Sequence, residues 1–174
     1  LVTGVAFWHY LYMRGVWITT GDSPTVYRYI DWLITVPLQI VEFYLILAAV
    51  TSVSASLFWK LLTGSLVMLI GGYLGEAGYW NYWIAFAMGM AGGLYILYLI
   101  FFGEAAQVNA SSGNAASQFA FKTIRLIVTV GWAIYPLGYI AGSSDILNIT
   151  YNLADLINKT AFGLAIWAAA VSDS

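Results

Sequence analysis

The chain has 174 residues, a formal net charge of −2, 61% hydrophobic residues and only 8% charged ones. A soluble domain of this length carries about 25% charged residues, so the composition excludes an ordinary soluble fold, and the lack of a basic stripe excludes nucleic acid as a partner. With no cysteine and one histidine, His9, disulfides, thiolate chemistry and multi-histidine metal sites are excluded as well.

The opening residues, LVTGVAFWHYLYM (1–13), read as the second half of a membrane span. The chain starts inside this apolar run, with neither an initiator Met nor a basic leader, so the run is no signal peptide. An earlier helix and the start of this one are expected to be missing. A polar connection, GVWITTGDSP (15–24), follows. Five complete spans come next, at about 25–50, 57–75, 79–103, 118–141 and 147–171. They are joined by TSVSAS (51–56), GEAG (75–78), EAAQVNASSGNAAS (104–117) and GSSD (142–145). Each span approaches the roughly 20 apolar residues that cross a hydrocarbon core. Lipid offers no partner for free backbone groups, so the spans must be helices. The reading is an all-α, multi-pass membrane protein forming one unit over 1–174. Lys60, Lys122 and Arg125 flank the 51–56 and 104–117 connections. Positive charge collects on the inner side, which makes those loops and the C-terminus cytoplasmic.

Five ionisable residues lie within the spans: Arg28, Asp31, Glu42, Asp155 and Lys159. Near a helix centre an Asp, Lys or Arg costs about 2.5–3.5 kcal/mol on insertion scales, and such residues mark ion or proton paths by default. Asp31 and Glu42 are eleven residues apart, about three turns and roughly 16 Å along the axis, and within about 20° of each other around it. Arg28, Thr35 and Gln39 fall close to the same line. This helix carries a polar stripe through its whole depth, as a proton path requires. In the last span Asp155 and Lys159 are i,i+4 neighbours on one face. Two readings are open for them: a neutralising ion pair, or a lysine held for Schiff-base chemistry beside its counterion.

The segment RYIDWLITVPLQIVEFYLILA (28–48) resembles the microbial rhodopsins, the proteorhodopsins in particular. YNLADLINKTAFGLAIW (151–167) is similar to their retinal-lysine helix, GWAIYPLGY (131–139) to the helix walling the retinal pocket, and LYILYLIFFGEA (94–105) is also family-like. The GSSD connection is shorter than expected of proteorhodopsins. The resemblance implies a seven-transmembrane-helix rhodopsin bundle that binds all-trans retinal on Lys159 as a protonated Schiff base. It makes Asp31 the counterion and proton acceptor, Asp155 the second counterion, and Arg28 the positive group on the extracellular side. Glu42 becomes the cytoplasmic proton donor and His9 the hydrogen-bond partner of the counterion. Tyr10, Trp32, Thr35, Trp132, Tyr135 and Pro136 would contact retinal, and Gln39 would tune its colour toward blue absorption. The implied protein is a light-driven outward proton pump, not an enzyme, in a bacterial-type inner membrane. Its partners are retinal, protons and the bilayer, with a homo-oligomer allowed. The alternatives are a slow retinal photosensor and a non-retinal transporter or receptor, in which Lys159 would merely pair with Asp155.

Overall fold

A computed structural model describes residues 1–141 and 144–172. The described residues form eight helices: α1 (Val2–Thr20), α2 (Thr25–Ala48), α3 (Ala55–Glu76), α4 (Tyr82–Phe101), α5 (Glu104–Ser111), α6 (Ala115–Trp132), α7 (Ile134–Ala141) and α8 (Ser144–Ser172). Among the described residues four stretches are long and apolar enough to cross a membrane: Thr25–Ala48, Ala55–Glu76, Tyr82–Ser111 and Ala115–Ala141; the expected span at 147–171 is helical, within α8, but is not one of the four. The chain is a multi-pass, all-helical membrane protein.

Three boundaries differ from those expected. The first helix runs on through Val16, Trp17 and Ile18 to Thr20, past the expected end at residue 13. Arg14 does not stop it, since a charge costs little near a span's end; Gly21 does, by adopting φ 73°. The 104–117 connection is largely helical, because EAAQVNAS is rich in good helix formers. Glu104 in its first turn suits the helix dipole, and its Oε2 lies 2.7 Å from Lys60 Nζ. The 118–141 span is broken at Ala133. Pro136 lacks an N–H for the Trp132 carbonyl, and its ring crowds that oxygen. A proline alone need not end a helix, as Pro37 inside α2 shows; here Gly131, a weak helix former, adds to the effect just before the break. Residues 142 and 143 of the GSSD connection lie outside the described residues.

Helices α3 and α4 touch backbone to backbone. A Cβ added to Gly71 would come 2.6 Å from Gly89 N, and one added to Gly92 would come 2.6 Å from Met68 N. Lipid supplies no hydrophobic drive between helices, so close contact between small residues does the holding. The apolar core lies toward the Glu42 end of α2. There Phe43 packs edge-on against Phe121 and Phe162, at 5.4 and 5.9 Å between ring centroids. Ile40, Leu47, Leu57, Leu61, Ile100 and Ile124 complete a layer that is almost wholly inaccessible. The Arg28 end is polar. The bundle is thus dry on one side of its middle and hydrogen-bonded on the other.

Candidate functional site

Helices α2 and α8 face each other with one polar line each. On α2, Arg28, Asp31, Thr35 and Gln39 follow at three- and four-residue steps and are all buried. On α8 the line is Asn148, Asn152, Asp155 and Lys159. The two lines meet at an ammonium. Lys159 Nζ lies 3.1 Å from Asp31 Oδ2 and 2.9 Å from Asp155 Oδ2. All three side chains are at most 5% exposed. Two carboxylates on one buried cation would leave a net negative charge, and Arg28, wholly buried on the same stripe, brings the sum to zero. Buried charges are tolerated when they are paired and hydrogen-bonded in this way.

The two carboxylates are held differently. Asp155 Oδ2 accepts from Tyr10 Oη and from Trp32 Nε1 (2.9 Å) as well as meeting Lys159, and its Oδ1 accepts from Tyr135 Oη. A carboxylate oxygen offers about two lone-pair sites, so Oδ2, the Asp155 oxygen that faces Lys159, has none to spare, whereas Oδ1 accepts a single bond. Asp31 meets Lys159 through Oδ2 and His9 Nδ1 at 3.0 Å through Oδ1. A carboxylate only accepts, so that histidine nitrogen carries the hydrogen. The Thr35 hydroxyl gives its proton to the Asp31 backbone carbonyl at 3.0 Å and stands 3.5 Å from Oδ2. Asp31 therefore keeps open capacity beside the ammonium.

Arg28 closes the polar end. Its Nη1 donates to Asn152 Oδ1 at 2.9 Å and to Tyr10 Oη at 3.3 Å, and its Nη2 donates to Asn148 Oδ1 at 2.5 Å. Its guanidinium lies 5.5 Å from the Tyr151 ring centroid. The Tyr151 hydroxyl in turn lies 2.7 Å from Glu76 Oε1 and 3.1 Å from the Tyr135 carbonyl. Sequence reasoning does not single out Asn148, Asn152, Tyr151 or Glu76. Asn148 and Asn152 lie seven and three residues before Asp155, a helical spacing that could have found them; Glu76, at a span's end, gives no signal.

A cavity of about 240 Å³ adjoins this cluster. Of the residues expected around a ligand, Trp32, Gln39, Trp132, Tyr135 and Pro136 line it, and Asp155 closes one end. Tyr10, Thr35 and Lys159 do not line it: Tyr10 is turned to Asp155, Thr35 to Asp31 and the Lys159 amine to both carboxylates. Met68, Gly72, Phe86, Met90 and Leu97 supply the far wall from α3 and α4. Glu42 stands apart from the cluster. It is half-buried beyond Gln39, beside the Phe43 layer, and its carboxyl has no hydrogen-bond or ion-pair partner among the described residues.

The model of bacteriorhodopsin-like proteins matches residues 1–173. The chain belongs to that family. Across its whole length it is 58% identical to the blue-light absorbing proteorhodopsin of Gamma-proteobacterium Hot 75m4 and 56% identical to the green-light absorbing proteorhodopsin of Gamma-proteobacterium EBAC31A08, covering 72% of each. Among solved structures, blue light-absorbing proteorhodopsin from Med12 superposes with a TM-score of 0.86 at 63% identity, over 100% of this chain and 80% of that one. Exiguobacterium sibiricum rhodopsin gives 0.83 at 34% identity, over 97% and 78%.

The cavity suits the chromophore of a bacteriorhodopsin-like protein. Its walls are mainly aromatic and aliphatic, as a conjugated hydrocarbon requires, and of the two carboxylates that line it, Glu76 and Asp155, the second is 2.9 Å from the only lysine amine of α8. Gln39 Nε2, on the wall, is buried without a hydrogen-bond partner. An orphaned amide is costly against a dry wall and is better placed beside a polarisable, charge-bearing ligand.

Proposed function

We propose that this chain is a light-driven outward proton pump that carries retinal on Lys159, a transporter and not an enzyme. One observation carries the reading: a buried lysine amine held between two unequal carboxylates, one of which lines an aromatic-walled cavity, in a bacteriorhodopsin-like bundle. Retinal, when bound there, supplies light absorption and an isomerisation that displaces the proton-bearing nitrogen. Asp31 takes the proton at Oδ2, where capacity is open. Asp155 remains an anion, because Tyr10 and Trp32 occupy the oxygen that faces Lys159 and Tyr135 donates to the other. Arg28 and its asparagines make the half beyond Asp31 polar and hydrogen-bonded, as outward transfer needs. Glu42 returns a proton from the other side, across the apolar layer around Phe43.

The flanking Lys60, Lys122 and Arg125 support placing the Glu42 end and the C-terminus in the cytoplasm of a cell with a bacterial-type inner membrane. Residues 1–174 act as one retinal-binding unit, and self-association into a homo-oligomer is compatible with it. The test is illumination of cells or oriented vesicles containing the chain and all-trans retinal. The outside should acidify in light, reversibly, and a protonophore should cancel the signal. A coloured protein that moves no protons would leave a sensor instead, and a colourless one would return the chain to the non-retinal alternatives.

A further inference from the structure

The Tyr135 hydroxyl has a single hydrogen, and it goes to Asp155 Oδ1. What that oxygen retains is the capacity to accept. The donor within reach is Asn158 Nδ2, at 3.4 Å. Asn158 is 2% exposed, directly precedes Lys159 on α8, and has no part in the reading above. The orientation of its amide follows from the hydroxyl: an oxygen already donating to a carboxylate must meet nitrogen, not oxygen, at its second contact. The other flank of the carboxamide rests on α6. A Cβ added to Gly131 would collide with Asn158, whose Oδ1 is the nearest atom. Asn158 could escape such a methyl only by leaving Tyr135.

We propose that Asn158 is a positioning residue for Asp155, acting through the Tyr135 hydroxyl, and that Gly131 is bare in order to seat it. A hydroxyl that accepts one hydrogen bond donates a stronger one, since chained hydrogen bonds polarise each other. Asn158 therefore points the Tyr135 proton at Asp155 Oδ1 and holds that carboxylate as an anion, so that Asp31 is left as the base. The inference deepens the pump reading and rests on it for its consequence, although the contacts themselves do not. The groups facing Asp155 are Tyr10 from α1, Trp32 and Asp31 from α2 with Arg28 behind Tyr10, Tyr135 from α7 and Lys159 from its own helix.

Two measurements need neither retinal nor pumping, which separates a failure here from a failure of the pump reading. In the first, thermal melting of the retinal-free chain in detergent is compared for wild type, Gly131→Ala, Asn158→Ala and the double variant. Gly131→Ala should lower the melting temperature alone and cost little or nothing beside Asn158→Ala; equal losses in both backgrounds would overturn the seat. In the second, infrared spectra with labelled tyrosine follow the C–O stretch that Tyr135→Phe removes. Asn158→Leu should move that band, and an unmoved band would overturn the link. With retinal bound, Asn158→Leu should move the midpoint of the pigment's pH-dependent colour change upward by about half to one pH unit. In a Tyr135→Phe background it should add nothing. The same shift in both backgrounds would mean that Asn158 acts directly, and the proposal would fall.

Discussion

Asp31 and Asp155 meet the Lys159 ammonium at nearly equal distances, 3.1 and 2.9 Å, yet of the two oxygens that face it only Oδ2 of Asp31 has a lone pair free, since Oδ2 of Asp155 also accepts from Tyr10 and Trp32. The charges are the same and the hydrogen-bond complements differ. That difference supports Asp31 as the proposed acceptor without reference to which carboxylate is closer.

Asp31→Asn should accordingly bind retinal, absorb further to the red and pump nothing. The red shift follows because removing the negative charge stabilises the resting cation less. Light-driven acidification at the wild-type rate would disprove the assignment. His9→Ala, which removes the donor 3.0 Å from Asp31 Oδ1, should displace the pigment's pH-dependent colour change; an unmoved titration curve would uncouple the two residues.

Glu42→Gln should leave the colour nearly intact, since Glu42 does not line the cavity. Return of the proton to the Lys159 nitrogen should slow by on the order of 100-fold, the usual worth of a positioned acid. Bulk protons must then substitute, so the slow phase should speed up as pH falls. Flash photolysis reads this directly. A photocycle with wild-type timing would make Glu42 structural.

Gln39→Leu should shift absorption to longer wavelength. The amide lies on the cavity wall with its Nε2 unpartnered, where its dipole stabilises the ground-state charge distribution more than the excited one. If Gln39 were only an interhelical contact, its loss would cost about 1–2 kcal/mol or less and leave the colour alone. A maximum that holds still or moves to the blue removes Gln39 from the tuning site.

Lys159→Ala should yield a chain that forms no covalent visible pigment. It also leaves Asp31 and Asp155 facing each other without their cation, so the apoprotein should melt at a lower temperature than wild type. Reductive trapping of retinal on another residue would refute the attachment site.

The stripe on α2 is legible in the sequence because its cause is local: polar residues in lipid are costly, and helical geometry alone puts Arg28, Asp31, Thr35 and Gln39 on one line. The pairing of Asp155 with Lys159 is legible for the same reason. The contrast between Asp31 and Asp155 is not, since Tyr10, Trp32 and Tyr135 come from three other helices and nothing in their own sequence neighbourhoods points to Asp155. Tyr10 illustrates this: its aromatic character suggests a cavity wall, and its hydroxyl decides otherwise. Glu76 escapes notice because a carboxylate at a span's end is ordinary until Tyr151 is found on it. The helix inside 104–117 is hidden because its polarity reads as a loop when only hydropathy is followed.

The glycine contact between α3 and α4 and the break at Ala133 lie on different sides of the cavity, and together they set its mechanics. Where Gly71 and Gly92 bring backbones into contact there is no side chain to rotate, so that wall is stiff. The wall carrying Trp132, Tyr135 and Pro136 is interrupted by a missing hydrogen bond and is the more compliant spring. When two springs share one push, the softer takes up most of the displacement. A ligand seated between them would therefore press more readily on the wall that carries Trp132, Tyr135 and Pro136 than on the glycine-packed one.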